Sequence, residues 1–189
     1  MLEVALHYAA RPEVGKAAEG LAARYPKSFY LATLHRAENT DEPERLREIV
    51  TALSRASARY PVVMPIHPRT RRALERFGIR ADGIELSDPV GYFDMLAMTR
   101  SCRAVLTDSG GLQKEAYFFG RPCVTFRDET EWTELVDAGC NRVVGADSAL
   151  ILEALSAIEA AGARIAAGPT LYGKGDAAAR IVNLLLDRA

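Results

Sequence analysis

Strict alternation constrains this chain more than any other feature. Six short apolar runs, at 29–34, 62–66, 84–86, 104–107, 123–126 and 142–144, are separated by segments of helical periodicity. The runs are almost continuously apolar, as strands covered on both faces must be, because neither row of side chains meets water. In one intervening segment, which begins near Thr40 or Asp41, Leu46, Ile49, Val50 and Leu53 recur at helical spacing. Asp41 and Glu44 stand at capping-box spacing there, and Pro43 falls in the first turn. Further helices are expected near 69–77, 92–99, 112–119, 131–138, 148–161 and 177–186. Strand–helix alternation of this kind predicts the α/β class: a doubly wound parallel sheet, Rossmann-like, with helices on both faces. Such sheets bind ligands beyond the carboxyl ends of their strands, so chemistry is expected in the loops that follow the apolar runs.

Residues 2–25 read as helical with no strand before them. We therefore expect 1–27 to be a helical lead-in and 28–189 to form the sheet domain, in a chain that starts in mid-protein. Charge and motif content then narrow the partners. Lys and Arg number 24 against 25 Asp and Glu, which lacks the basic excess of a nucleic-acid or anionic-membrane binder. No apolar run approaches the roughly 18 residues of a spanning helix, and the N-terminus lacks the basic start and apolar stretch of a signal peptide. Cys102, Cys123 and Cys140 form no C-x-x-C pair, a pattern that fits a reducing cytoplasm. The chain contains no H-E-x-x-H, Walker or G-x-G-x-x-G motif, so no metal and no cofactor are expected.

Three loops carry candidate chemistry. Thr107-Asp108-Ser109-Gly110-Gly111 follows a strand and opens a helix. Two glycines allow an anion to approach the backbone, and the helix N-terminus offers free N–H groups and a positive dipole end. Glu115, one turn on, can accept from a ribose hydroxyl. The same residues also suit an ordinary turn with Ser109 or Asp108 as N-cap. His35-Arg36-Ala37-Glu38-Asn39 places an imidazole, a guanidinium, a carboxylate and an amide after the first strand. It reads either as an anion or sugar site, or as a solvated loop whose turn Asn39 shapes. His67-Pro68-Arg69 repeats the imidazole and guanidinium after the second strand, for an anion or merely as a helix start with Arg69 exposed. Trp132, the only tryptophan, can stack on a ligand ring or pack in the core. Tyr172-Gly173-Lys174-Gly175-Asp176 reads either as a loop that reaches the site or as a glycine-rich turn with Asp176 as N-cap, and His7 as a packing or surface histidine.

Several of these segments occur together in one family. Ala32-Thr33-Leu34-His35-Arg36-Ala37-Glu38-Asn39-Thr40 and Thr107-Asp108-Ser109-Gly110-Gly111-Leu112-Gln113-Lys114-Glu115-Ala116 closely resemble the bacterial non-hydrolysing UDP-N-acetylglucosamine 2-epimerases. His67-Pro68-Arg69-Thr70, Pro89-Val90-Gly91-Tyr92, residues 127–131 and Tyr172-Gly173-Lys174-Gly175 agree in order, so the resemblance covers essentially the whole chain. It implies the C-terminal half of a two-domain GT-B fold, in which Ser109, Gly110 and Gly111 hold the diphosphate of a UDP-sugar and Glu115 the ribose. The catalytic His35 would sit beside the phosphate–sugar linkage and Phe93 near the uracil. Arg36 and His67 match positions that touch a second, activating nucleotide-sugar in some members.

The family's reaction inverts carbon 2 by eliminating UDP to an acetamidoglucal and adding it back. Its acidic catalytic residues lie in an N-terminal domain, so the resemblance implies that this chain alone does not turn over and that the full-length protein is a homodimer. In the commonest subgroup an arginine follows the Thr-Glu of the 130–131 motif; here that place is Trp132. The surrounding run is more similar to a sister subgroup acting on UDP-2,3-diacetamido-2,3-dideoxyglucuronate. A donor-binding domain of a GT-B glycosyltransferase and a stand-alone nucleotide-sugar binding module are the competing readings.

Overall fold

The structure is a computed structural model that describes residues 1–163, 165 and 171–187; positions 164, 166–170, 188 and 189 of the expected sheet domain lie outside the described residues. Six parallel strands form one sheet: β1 (Tyr30–Thr33), β2 (Val62–Pro65), β3 (Ile84–Ser87), β4 (Ala104–Thr107), β5 (Cys123–Thr125) and β6 (Asn141–Val143). All six expected apolar runs become strands. Their order is β3-β2-β1-β4-β5-β6, the doubly wound arrangement. From β1 the connections step outward to one edge through β2 and β3, and then from β4 to the other. β1 and β4 are therefore neighbours whose outgoing loops diverge, which opens a crevice between them.

Alternation along each strand divides the core in two. Tyr30, Ala32 and Leu34 face one way, with Met64, Leu106 and Phe126. They meet α4 (Pro43–Ala56), α5 (Pro68–Phe77) and α9 (Ser148–Ala160). Phe29, Leu31, Val63, Val105 and Cys123 face the other way, against α2 (Pro12–Arg24), α6 (Tyr92–Ser101) and α7 (Gly110–Phe118). Both faces of the central strands are covered, which is why β1, β2 and β4 lack polar alternation; the edge strand β3, Ile84-Glu85-Leu86-Ser87, does alternate.

Residues 2–25 form two helices instead of one continuous stretch. Between α1 (Leu2–Ala9) and α2, Pro12 has no backbone N–H to continue the first helix and instead starts the second. Ala5 and Val14 pack on Leu96 and Ala97 of α6, and Leu21 and Tyr25 join the core. Two expected caps are not formed. Asp41 does not close a capping box: it pairs with Arg69, and α4 begins after Glu42 with no side-chain cap. The short turn α3 (Ala37–Thr40) precedes it. Asp176 likewise leaves α10 (Ala177–Leu186) uncapped, and the Glu3 carboxylate accepts from Ala178 N–H at 3.0 Å instead. Between β5 and β6 lies α8 (Thr133–Asp137), shorter than the expected 131–138 because Glu131 is drawn to Arg127.

Candidate functional site

The crevice is sealed at its base by a ladder between the two central strands. Thr33 and Thr107 are register partners at the ends of β1 and β4, and their hydroxyls lie 2.6 Å apart. The next residue of β4's exit, Asp108, is fully buried. A carboxylate there needs strong partners, since an uncompensated buried charge costs several kcal/mol. It finds them across the crevice. Asp108 accepts the backbone N–H of His35 at 3.0 Å and of Arg36 at 2.8 Å, and the Asn39 amide at 3.3 Å. The His35 imidazole Nδ1 lies 3.2 Å from its other oxygen. Asn39, buried rather than at a solvated turn, also donates to the Phe126 carbonyl at 2.8 Å. The loop after β1 is thus bolted to the loop after β4, with His35 at the junction.

The helix α7 starts at this junction. Ser109 is its N-cap by position, but its side chain makes no cap hydrogen bond, and Asp108 is committed elsewhere. Ser109 N–H donates to Thr107 Oγ1 at 2.9 Å. The first N–H groups of α7 are consequently not claimed by a capping side chain. They stand beside a glycine pair, at the positive end of the helix. A plain capped turn would have used these donors; this arrangement leaves them for an acceptor from outside.

A cavity of about 320 Å³ opens in front of this end, lined by His35, His67, Tyr92, Ser109, Gly111 and Glu115, with Thr33 and Pro89 among its other walls. Glu115 is buried, and burial lifts its carboxyl above the ordinary value, partly offset by the neighbouring Tyr92 hydroxyl. Burial and that neighbouring carboxylate push the Tyr92 phenol up to about 12. His67 caps α5 through its own imidazole, with Nδ1 accepting Arg69 N–H at 3.1 Å, and its ring centroid lies 5.6 Å from that of His35. The Thr70 hydroxyl holds the Leu34 carbonyl, which fixes α5 against the end of β1.

The remaining expected residues stand around the cavity or away from it. Gly110 and Arg36 are not among the lining residues but stand near each other: a Cβ built on Gly110 would sit 3.9 Å from the Arg36 guanidinium. Phe93 is exposed and packs on Tyr8, with ring centroids 5.3 Å apart; the neighbouring Tyr92 is the aromatic residue that lines the cavity. Arg69 turns away to Thr40 and Asp41. Arg127 is buried between Glu131 and Glu38. Trp132 packs over Lys114 and donates to the Gly110 carbonyl. His7 is exposed beside Tyr8. Cys102, Cys123 and Cys140 are buried free thiols. The sequence placed Asp108 as a possible N-cap, Asn39 in a candidate loop and Tyr92 in a matching motif, but assigned none of them the position it takes here. The available signal for Asp108 was a carboxylate set directly after a strand of three apolar residues and a threonine.

Comparison with known proteins shows the family and agrees with the fold. The family model for UDP-N-acetylglucosamine 2-epimerase matches residues 1–186. A UDP-2,3-diacetamido-2,3-dideoxy-D-glucuronate 2-epimerase of Pseudomonas aeruginosa is 52% identical over 158 residues, which cover 83% of this chain and 44% of that protein. The crystal structure of a Methanocaldococcus jannaschii UDP-GlcNAc 2-epimerase in complex with UDP-GlcNAc and UDP superimposes with a TM-score of 0.80 and 29% identity, over 98% of this chain and 52% of that one. At the level of fold alone, the chain is similar to WaaG, a glycosyltransferase of lipopolysaccharide biosynthesis, with a TM-score of 0.58 and 18% identity over 91% of this chain and 51% of that one. The chain spans about half the length of the relatives it matches. Among the described residues no helix is long and apolar enough to cross a membrane.

Proposed function

Because this chain belongs to the UDP-N-acetylglucosamine 2-epimerase family, we propose that it is the UDP-holding C-terminal half of a UDP-sugar 2-epimerase. One observation carries the reading. At the switch point between β1 and β4, a cavity meets a helix N-terminus whose donors no side chain caps, and five expected site residues, His35, His67, Ser109, Gly111 and Glu115, line it.

In this reading the diphosphate lies on the N–H groups of Gly110 and Gly111 and the Ser109 hydroxyl, and Glu115 accepts from the ribose. The reaction breaks the bond between the anomeric carbon and the diphosphate while carbon 2 loses its proton. Charge therefore develops on the departing diphosphate, and oriented N–H groups at a helix N-terminus stabilise it without reorganising. His35 stands beside the linkage, its imidazole oriented by the Asp108 carboxylate at 3.2 Å. Re-addition of UDP to the acetamidoglucal, with a proton delivered to the opposite face, completes the inversion. The groups that move the carbon-2 proton come from the other half of the protein, which in this reading is a cytoplasmic homodimer. Arg36 and His67 face a second nucleotide-sugar.

The sugar is open to one refinement. The 52% identity with the Pseudomonas enzyme, together with Trp132 at the place of the common arginine, favours a UDP-diacetamido-uronate over UDP-N-acetylglucosamine. Assay of the full-length protein on both sugars decides between them. Turnover of either supports the epimerase reading, whereas UDP release that depends on an added acceptor replaces it with a glycosyltransferase. Titration calorimetry of the isolated chain with UDP tests the binding half of the claim. A folded chain that binds no UDP and a full-length protein that acts on neither sugar together refute it.

A further inference from the structure

We propose that Trp132 is the positioning residue that aims the glycine cradle, an inference that rests on reading Gly110–Gly111 as the diphosphate site. The indole Nε1–H donates to the Gly110 carbonyl oxygen at 2.9 Å. That oxygen and the Gly111 N–H belong to one planar trans peptide, in which C=O and N–H point in opposite directions. Holding the oxygen on the Trp132 side therefore turns the Gly111 N–H to the opposite side. Gly111 lines the cavity and Trp132 does not. A pair of glycines at the first turn of a helix has wide conformational freedom and no side chain to restrain it. An external pin on this peptide is what converts permissive backbone into an aimed donor.

The indole is itself held from several directions. Its backbone N–H donates to Thr130 Oγ1 at 3.2 Å, and the Thr130 hydroxyl donates to the buried Gln113 carboxamide at 2.6 Å. The Lys114 ammonium sits 3.3 Å from the centre of the indole ring and 4.5 Å from that of Tyr172. The Tyr172 hydroxyl in turn donates to Glu134 at 2.5 Å. Lys114 lies on α7 four residues after Gly110, so the helix that carries the cradle also carries the cation that seats its pin. Trp132 and the Tyr172 loop thereby join one assembly behind the phosphate site.

Two replacements remove the indole N–H while keeping an aromatic face for Lys114. Trp132→Phe does so with a smaller ring. The benzothienyl analogue of tryptophan, incorporated at position 132, does so with shape retained. We expect each to bind UDP about tenfold more weakly by calorimetry, with uridine affinity unchanged, because only the diphosphate donor loses its aim. UDP, and not uridine, should also shift the emission of the wild-type chain, whose only tryptophan is Trp132. Absence of UDP binding by the wild-type chain would overturn the site reading and this proposal with it. Wild-type binding retained in full by the benzothienyl variant would overturn the proposal alone. Equal losses for UDP and uridine would do the same, since they would mark a merely structural tryptophan.

Discussion

Asp108 and His35 are joined twice: the buried carboxylate accepts the His35 backbone N–H at 3.0 Å and lies 3.2 Å from its imidazole Nδ1. The first contact fixes where the loop after β1 leaves the sheet; the second fixes how the ring is turned. Substituting Asp108→Asn keeps the shape but replaces one acceptor oxygen with an NH2 that faces the His35 backbone donor whichever way the amide is turned. Hydrogen bonds to a charged group contribute about 1.5–3 kcal/mol each, and an unsatisfied buried donor costs a similar amount. We expect a loss of about 3 kcal/mol in urea denaturation, together with weakened UDP binding. An unchanged denaturation midpoint would show that this contact does not hold the site.

Gly111 separates folding from binding. A Cβ added there meets nothing nearer than the end of the Met1 side chain, at 3.4 Å, and the backbone is not in the left-handed region. Gly111→Ala should therefore fold normally and gain about 0.5–1 kcal/mol from helix propensity. Gly111 lines the cavity, so on the proposed reading the added methyl crowds the bound anion, and we expect UDP affinity to fall by about tenfold or more, equivalent to about 1.4 kcal/mol. Paired thermal melts and calorimetry read the two effects independently.

The fold was legible in the sequence because burial on both faces leaves a local signature. Tyr30, Ala32 and Leu31, Val63 pack on opposite sides of the sheet, and apolar residues fill both rows through the middle of the central strands. The caps were less legible because their partners are remote. Asp41 stood at capping-box spacing, yet Arg69 reaches it from 28 residues away and takes it. Asn39 looked like a turn residue, but its donors are used by Asp108 and Phe126, which only the sheet topology brings near. The proposed cradle was visible as a glycine pair after a strand. What separates it from an ordinary capped turn is that Asp108 is spent across the crevice and Ser109 caps nothing, and no spacing within residues 107–111 encodes that.

Glu159 makes the opposite end of the sheet sensitive to acid. Its side chain is only 3% exposed; Arg103 Nε donates to it at 2.6 Å and the Tyr30 hydroxyl at 2.9 Å. Burial pushes its pKa up, but these hydrogen bonds and the charges of Arg103 and Arg59 outweigh burial and leave it below the ordinary value of 4.5. A carboxylate depressed in the folded state contributes stability that is present above its unfolded pKa and lost as pH falls through the folded one. We expect Glu159→Gln to cost about 3 kcal/mol at neutral pH, as for a broken buried pair, and to reduce the acid slope of stability. Parallel slopes for the variant and the parent below pH 5 would refute this.

Glu115 is predicted to behave in the reverse sense, and to link stability to binding. Burial raises its pKa above the ordinary 4.5, with the Tyr92 hydroxyl offsetting part of the effect. A carboxyl raised in the folded state contributes stability that is full below its unfolded pKa and is lost as pH rises through the folded value. Glu115→Gln keeps an acceptor for Tyr92 and removes the cost of ionisation, so the variant should be more stable than the parent at neutral pH. Binding should move the other way, because ribose hydroxyls donate to a carboxylate more strongly than to an amide. Uridine is the informative ligand, since the terminal phosphate of UDP itself titrates near pH 6. Uridine affinity of the parent should decline on acidification at a pH above the ordinary carboxylate range, and that decline should be absent in Glu115→Gln. A parent and a variant that bind uridine with the same pH profile would place the ribose elsewhere in the cavity.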